Sequence, residues 1–145
     1  SQILLVDDEA VARKVISAQV EKLGHTVFTA ANAEEAEAIF SEHRMDMALV
    51  DLRLGEKSGL DLLTAFKDQE PDCQVVLITA YASVESAAEA MRLGASDYLV
   101  KPVQAHDLLR AIKSALKHKR VIEENRVLEE ENRLYRNHLE DRLAE

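Results

Sequence analysis

Acidic side chains follow two of the apolar runs in this sequence. Asp7 and Asp8 come directly after the run at 3–6, and Asp51 lies near the end of the run at 47–52. Carboxylates within a few ångströms of one another raise one another's pKa and destabilise the fold unless a cation joins them. The three aspartates therefore predict a site for a hard metal ion. Mg²⁺ fits best, because it needs only one or two carboxylates besides water and phosphate oxygens, whereas Ca²⁺ needs a fuller cage.

Two further polar side chains stand at the ends of later runs: Thr79 ends the run at 74–79, and Lys101 follows the run at 97–100. Together with Mg²⁺ and a carboxylate they are suited to phosphoryl transfer. The cations neutralise phosphoryl oxygens, the hydroxyl group donates to one of them, and the carboxylate attacks in line. Asp51 is the best candidate nucleophile, since it projects from the predicted central strand. Asp7 and Asp8 are better placed as metal or water ligands.

Each of these residues alone more often has a structural role. An aspartate after a strand usually forms a turn or caps a helix, and Lys-Pro is a common turn sequence. The functional interpretation depends on five suitable groups occurring together at corresponding ends of four predicted strands.

The elements that position these side chains alternate along the chain. Short apolar runs rich in β-branched residues predict five buried strands, over 3–6, 26–29, 47–52, 74–79 and 97–100. Helices are predicted between them over 10–23, 33–42, 59–68 and 84–93. The spacings of Asn32 to Glu35 and of Ser58 to Asp61 are those of capping boxes.

This alternation predicts the α/β class, with a doubly wound parallel sheet covered by helices on both faces. In such sheets ligands bind beyond the carboxyl ends of the strands, at the switch point in strand order. The five candidate residues are predicted to lie at that edge.

Composition excludes several classes of function. Of 145 residues, 18 are basic and 27 acidic, so the formal net charge is −9 and this segment is not expected to bind nucleic acid directly. The single cysteine, Cys73, excludes an internal disulfide and fits a reducing compartment. Because no run of about 18 apolar residues is present, we expect a cytoplasmic protein without a membrane partner. The five histidines lack the spacing of zinc ligands.

In its strand-end motifs, the sequence resembles the receiver domain of bacterial two-component response regulators. The matching segments are ILLVDDE at 3–9, ALVDLRL at 48–54, SGL at 58–60, VLITAY at 76–81 and GASDYLVKP at 94–102. The resemblance covers about residues 2–117, which we take as the receiver domain, 1–117. It implies a five-stranded, flavodoxin-like sheet of strand order 2-1-3-4-5.

The resemblance also implies a function for the acidic cluster. Asp51 would accept a phosphoryl group from a phosphohistidine on a partner sensor histidine kinase. Asp8, Asp51 and the backbone carbonyl of Arg53 would bind Mg²⁺ directly, and Asp7 would act mainly through water. Lys101 would contact the phosphoryl group. The domain would thus catalyse its own phosphorylation and its slow dephosphorylation.

A switch is implied by the same resemblance. The hydroxyl group of Thr79 would move to the phosphoryl group, which adds charge and acceptor oxygens. Tyr98 would then swing inward, altering the face built by the fourth helix, fifth strand and fifth helix. Arg53 and Tyr81 occupy two positions that modulate phosphoryl lifetime in the family. Both are bulky, so we predict slower dephosphorylation than with small residues.

The last predicted helix begins at Ala105 and continues to about residue 143. A seven-residue repeat over 118–145 predicts a coiled-coil dimerisation linker, with asparagines at two of its a positions. Asn pairs weaken a coiled coil but favour two parallel, in-register strands, so we predict a homodimer, assisted by contacts between receivers. The alternative is a solvated or partly disordered tail. The predicted seam comprises Val121, Asn125, Leu128, Asn132, Tyr135 and Leu139.

The tail segments ENRVL at 124–128 and ENRL at 131–134 resemble the linker of sigma-54-dependent activators of the nitrogen-regulator class. The chain would then control a transcription-activating ATPase and reach DNA through a further domain. The alternatives are a stand-alone receiver, a receiver of another output class, or an aspartyl-nucleophile phosphohydrolase. A nucleotide- or flavin-binding domain is disfavoured, because Asp7, Asp8 and Glu9 place anions where phosphate would sit.

Overall fold

A computed structural model describes the backbone of residues 1–144 and the side chains of residues 1–139. Its strands are β1 (Gln2–Val6), β2 (Thr26–Ala30), β3 (Met47–Asp51), β4 (Arg53–Leu54), β5 (Lys57–Ser58), β6 (Gln74–Thr79) and β7 (Asp97–Val100). Its helices are α1 (Ala10–Lys22), α2 (Ala33–Glu42), α3 (Gly59–Gln69), α4 (Val84–Arg92) and α5 (Ala105–Ala144).

The main sheet has five parallel strands in the order β2-β1-β3-β6-β7. Counted among themselves, these strands have the predicted order 2-1-3-4-5, so the predicted fold class and topology are confirmed. Every residue of β3 and of β6 is buried, because helices cover both faces of the sheet.

Alternate side chains of each strand enter two separate cores. On one face, β1 and β3 pack against α2, α3 and α4, where the rings of Phe40 and Phe66 stack with centroids 4.1 Å apart. On the other face the same strands pack against α1 and α5 through residues such as Ile16 and Ile112. Burial on both faces fixes the strand register, because a slip by one residue would exchange the two cores.

Local differences from the sequence prediction are small. The hairpin of β4 and β5 was not predicted, because two-residue strands leave no periodic pattern. Asn32 and Ser58 cap α2 and α3 as expected, and the Asn32 side chain accepts from the Glu35 amide. The Ser58 hydroxyl accepts from the amide of Leu60, not from that of Asp61 as the capping-box spacing implied.

The long C-terminal helix is confirmed, since α5 continues without a break from Ala105 to Ala144. Its first turns bury Leu108, Ile112 and Ala115 against the sheet. The boundary at 117 stays a prediction, and the last residue of the predicted linker, Glu145, lies outside the described residues. Within residues 1–144, no helix is both long and apolar enough to cross a membrane.

Candidate functional site

Three carboxylates meet beyond the carboxyl ends of β1 and β3. One oxygen from each of Asp7, Asp8 and Asp51 lies within 4.8 Å of the others. Asp7 and Asp51 are buried, whereas Asp8 is exposed to solvent. The sheet therefore brings together the acidic residues that the strand-end pattern singled out, and it does so in a pocket with one solvent-facing side.

The two buried carboxylates are held in matching ways. One oxygen of each accepts a backbone amide two residues later, from Glu9 to Asp7 (2.9 Å) and from Arg53 to Asp51 (3.1 Å). The other oxygen of each accepts from Nζ of Lys101, at 2.7 Å for Asp7 and 2.8 Å for Asp51. Both carboxylates are thus oriented by short backbone turns and bridged by one ammonium group.

Lys101 reaches this position from the end of β7. Its amide donates to the carbonyl of Thr79 (2.8 Å), and the peptide bond to Pro102 is cis. Burial lowers the pKa of the Lys101 ammonium, but its hydrogen bonds to Asp51 and Asp7 outweigh burial and raise the pKa overall. Lys101 therefore stays charged near neutral pH.

One ammonium group does not neutralise three carboxylates. Burial raises the pKa of Asp51, and the charge of Asp7 adds to this, while hydrogen bonds from Lys101 and the Arg53 amide oppose the rise. The site therefore retains negative charge that a divalent cation could compensate. Three clustered carboxylate oxygens with an open side fit a hard ion such as Mg²⁺, which keeps several waters. The geometry is thus compatible with the predicted metal.

A glycine allows α3 to approach the central strand closely. A Cβ atom on Gly59 would lie 2.3 Å from the carbonyl oxygen of Asp51, far inside any real contact distance. The Gly59 amide also donates to the carbonyl of Leu52 (2.7 Å). The segment that carries Asp51 therefore depends on the absence of a side chain at position 59. The SGL segment marked the residue, but nothing in its spacing indicated the close approach.

Thr79 and Tyr98 lie near each other on adjacent strands but are not in the same hydrogen-bond network. Thr79 is fully buried, and its hydroxyl oxygen accepts from the Tyr81 amide (3.0 Å). Tyr98 is half-buried, and its hydroxyl group shares a 2.6 Å hydrogen bond with that of Ser86 on α4. Ser86 and Ser83 together form the capping box at the start of α4. Ser86 was not among the residues predicted from the sequence.

Arg53 and Tyr81 are in contact with each other. The guanidinium carbon of Arg53 lies 3.9 Å from the centre of the Tyr81 ring, a cation–π arrangement. Both residues follow strand ends that carry reactive groups, Arg53 two positions after Asp51 and Tyr81 two after Thr79. The two side chains therefore contact each other beside the strand ends that carry Asp51 and Thr79, and their predicted effect on phosphoryl lifetime stays a prediction.

Arg13, which was also not predicted from the sequence, stabilises the turn that follows β1. Arg13 on α1 donates from Nη1 to the backbone carbonyl of Asp7 (2.7 Å). This bond fixes the turn from which the Asp7 and Asp8 side chains project. An arginine six residues after an aspartate carries no spacing signal of its own.

The family model for the response regulator receiver domain matches residues 3–113 of this chain. The alginate biosynthesis transcriptional regulatory protein AlgB of Pseudomonas aeruginosa is 39% identical to it over 132 residues, covering 91% of this chain and 29% of AlgB. The chain therefore spans less than a third of that curated relative's length.

Two solved structures are also similar to this chain in fold and sequence. The structure of NtrX from Brucella abortus superposes with a TM-score of 0.83 at 32% identity, covering 88% of this chain and 29% of that one. The beryllofluoride-activated NtrC4 receiver domain dimer superposes with a TM-score of 0.78 at 30% identity, covering 81% and 98%. The predicted resemblance, including the link to the nitrogen-regulator class, is confirmed.

Proposed function

Because this chain belongs to the response regulator receiver domain family, we infer that it is a phosphorylation-dependent switch in which Asp51 accepts a phosphoryl group from a sensor histidine kinase. The observation that carries this inference is the position of Asp51. Its carboxylate is bound by Lys101 at 2.8 Å and lies within a three-carboxylate cluster. That combination of nucleophile, cation and metal ligands is suited to phosphoryl transfer.

Asp8, Asp51 and the backbone carbonyl of Arg53 are the residues that would hold Mg²⁺, with Asp7 acting through water. When bound, the ion supplies positive charge to phosphoryl oxygens. Asp7 is engaged twice in the structure, by the Glu9 amide and by Lys101. Asp51 is engaged in the same way, by the Arg53 amide and by Lys101, so the assignment of the direct contacts to Asp8 and Asp51 rests on the family resemblance.

The chemical step requires little movement from the protein. A carboxylate oxygen of Asp51 attacks phosphorus, the bond from phosphorus to the histidine nitrogen of the kinase breaks, and the kinase imidazole keeps the electron pair and takes up a proton. Lys101, already at the Asp51 carboxylate, neutralises a phosphoryl oxygen. The Thr79 hydroxyl donates to another. The result is an aspartyl phosphate with charge of about −1.5 to −2 in place of −1.

Tyr98 is the residue that would pass this change to the surface. When the Thr79 hydroxyl turns toward the phosphoryl group, space opens beside it for the Tyr98 ring. An inward swing breaks the hydrogen bond of Tyr98 to Ser86 and so disturbs the α4 capping box. The two-state element is therefore the start of α4 together with the β7 aromatic ring.

The experiment that tests this function separates a switch from a phosphohydrolase. Incubation with Mg²⁺ and radiolabelled acetyl phosphate is expected to give one acid-stable, base-labile phosphoryl group per chain, which the Asp51→Asn variant lacks. An aspartyl phosphohydrolase would instead release phosphate continuously without accumulating label. Continuous release, or equal labelling of Asp51→Asn, would contradict the proposal.

A shorter phosphoryl lifetime is expected when Arg53 and Tyr81 are both truncated. In the double variant Arg53→Ala, Tyr81→Ala, water can reach the aspartyl phosphate from the side that the stacked side chains cover. We expect hydrolysis about tenfold faster, equivalent to ~1.4 kcal/mol of activation free energy. The decay of label after removal of phosphodonor measures it.

The control for this prediction is Tyr135→Ala, which removes an aromatic ring far along α5. It should leave the lifetime unchanged. An unchanged lifetime in the Arg53, Tyr81 double variant would show that these side chains do not shield the site.

We also propose that the chain forms a parallel homodimer through the exposed part of α5, helped by receiver contacts. Leu128 and Tyr135 are 56% and 64% exposed, which leaves an apolar stripe uncovered in a single chain. The similar NtrC4 receiver was solved as a dimer. At a few tens of micromolar, a chain whose dimer Kd lies in the micromolar range is mostly dimeric. We therefore expect sedimentation at that concentration to give a dimer. A monomer there would contradict the prediction.

The output is proposed to be transcriptional. The relatives of this chain include regulators of the nitrogen-regulator class, so we propose a sigma-54-dependent ATPase following α5, with DNA bound by a further domain and not by this acidic segment. A change in dimer packing would then control the ATPase. A cytoplasmic location follows from such a role. Sequencing past Glu145 is expected to reveal a GxxxxGK(S/T) motif; its absence would favour the stand-alone receiver or another output class.

A further inference from the structure

The turns of α5 that follow the predicted receiver boundary at residue 117 contact the sheet at the amino ends of its strands. Lys119 is only 5% exposed, an unusual burial for a lysine. Its Nζ lies 2.5 Å from Oδ1 of Asp46 and 3.6 Å from Oε1 of Glu123. Asp46 also accepts the amide of Gln2 (2.8 Å). A buried charge that meets a fixed partner marks a specific contact, not a solvated helix face.

A second contact lies two turns further along. Arg126 forms an ion pair with Asp72, a carboxylate that is itself buried in the segment between α3 and β6. Arg44 and Glu123 form a third, longer pair at 3.7 Å between exposed side chains. Three ion pairs between 119 and 126 therefore join α5 to the edge of the sheet opposite the acidic pocket.

The two receiver partners, half-buried Asp46 and buried Asp72, lie just before two strands of the sheet. Asp46 immediately precedes β3, and β3 ends at Asp51. Asp72 lies two residues before β6, and β6 ends at Thr79. The helix is thus anchored at the amino ends of the same two strands whose carboxyl ends bear the proposed phosphoacceptor and switch hydroxyl.

The anchored face and the predicted coiled-coil seam are different sides of α5. At about 100° per residue, Lys119, Glu123 and Arg126 share one side of the helix, and the seam residues fall on nearly the opposite side. The seam residues Val121, Leu128, Tyr135 and Leu139 are all exposed. One helix can therefore bind its own receiver and a second copy at the same time.

We propose that residues 118–126 are a docked segment of the receiver, held by Asp46 and Asp72 in the rotational setting that presents the seam to a second copy of this chain. This rests on the dimer of the proposed function. The occupant is a second copy because Asn125 and Asn132 can each meet their twins in a parallel pair. In that pairing Glu131 of one copy also lies opposite Arg136 of the other, an attractive pair at the g and e positions.

The docked segment has a consequence for dimer strength. A helix that swings freely from the receiver must lose that freedom when two copies pair, whereas a docked helix is already ordered. Loss of docking should therefore weaken the dimer and also lower the local stability of the helical turns over 118–126. These two effects can be measured separately.

The chain offers a matched pair of variants for this test. Arg126→Glu places a like charge against Asp72, whereas Arg133→Glu makes the same change one heptad later. Among residues 1–139, the ion pair of Arg133 is with Glu130 on its own helix. Both residues occupy the same heptad position, so both changes affect helix propensity and the seam alike. Arg126→Lys restores the charge and serves as the conservative variant.

We expect Arg126→Glu to lower hydrogen-exchange protection of amides 118–126 about tenfold and to raise the dimer Kd about tenfold. Arg133→Glu should leave protection over 118–126 unchanged, and Arg126→Lys should be close to the unmodified chain. Equal protection in all three variants would overturn the docking. Lower protection with an unchanged dimer Kd would overturn the link between docking and pairing.

Disulfide formation tests the direction in which the seam points. The native Cys73 is fully buried and burial raises its thiol pKa to about 12, so an added cysteine is the reactive thiol. Leu128→Cys should form disulfide-linked dimers under mild oxidation, and Glu130→Cys, on the opposite side, should not. Preferential crosslinking of Glu130→Cys would overturn the proposal.

Labelling of Asp51 by acetyl phosphate is measured in the same variants, and we expect it to be unaffected. A failure of docking is thereby distinguished from a failure of phosphorylation.

Discussion

Replacing Lys101 with alanine is expected to slow labelling of Asp51 by acetyl phosphate about 10²- to 10³-fold, the usual cost of removing one preorganised charge donor. Lys101 is the one ammonium group that bonds both buried carboxylates, at 2.7 and 2.8 Å, among residues 1–139. Without it, a phosphoryl oxygen arriving at Asp51 meets Asp7 with no fixed cation between them. The initial labelling rate at saturating Mg²⁺ measures the effect.

The Lys101→Ala variant also loses stability, so two controls separate folding from chemistry. Asp7 and Asp51 would remain buried side by side, and breaking such a pair costs about 3–5 kcal/mol when fully buried. Lys101 is partly accessible, so the loss should fall below that range. Mg²⁺ should recover part of it, and circular dichroism must show a folded domain. Lys113→Ala removes an exposed lysine of α5 and should label normally. Unchanged labelling of folded Lys101→Ala would remove Lys101 from the proposed mechanism.

Gly59→Ala is expected to affect both stability and labelling. The new methyl group would lie 2.3 Å from the Asp51 carbonyl oxygen, so either α3 or the end of β3 must move. Overpacking of this kind costs about 1–3 kcal/mol, which lowers Tm by roughly 2–8 °C per kcal/mol in a domain of this size. A shift of Asp51 approaching 1 Å would slow labelling by about 10²-fold. Thermal denaturation and initial labelling rates measure the two effects.

Gly24→Ala is the matched control for that substitution. Gly24 has a φ of 91°, and a Cβ atom there would meet nothing within 4 Å. The control therefore costs stability through backbone strain, about 1–2 kcal/mol, but cannot displace Asp51. We expect normal labelling in folded Gly24→Ala. Normal labelling in folded Gly59→Ala would show that the close approach of α3 does not position the acceptor.

Most of the fold could be predicted from the sequence, because the patterns that indicate strands and helices are local. Five apolar runs and the helices between them define the sheet, and the rule that ligands bind at carboxyl ends of parallel strands directs attention to Asp7, Asp8 and Asp51. Thr79 and Lys101 were found in the same way. Strand order itself came from the family resemblance, because alternation alone does not decide which strand lies at the centre.

The features that sequence reasoning missed depend on distances between residues far apart in the chain. The contact of Gly59 with Asp51 arises from how α3 meets β3, and the bond of Ser86 to Tyr98 from how α4 meets β7. Burial of Lys119 depends on Asp46, 73 positions away. None of these leaves a periodic pattern. The predicted seam, by contrast, follows from the heptad spacing and stays a prediction.

Mapping the phosphoryl group after incubation with acetyl phosphate, both with Mg²⁺ and with the ion removed by chelation, tests whether Asp51 is a metal-assisted phosphoacceptor. We expect a single phosphoryl group on Asp51 that forms with Mg²⁺ and is nearly absent without it. A phosphoryl group at another residue, or labelling that is the same in the chelated sample, would contradict the claim that Asp51 is a metal-assisted phosphoacceptor.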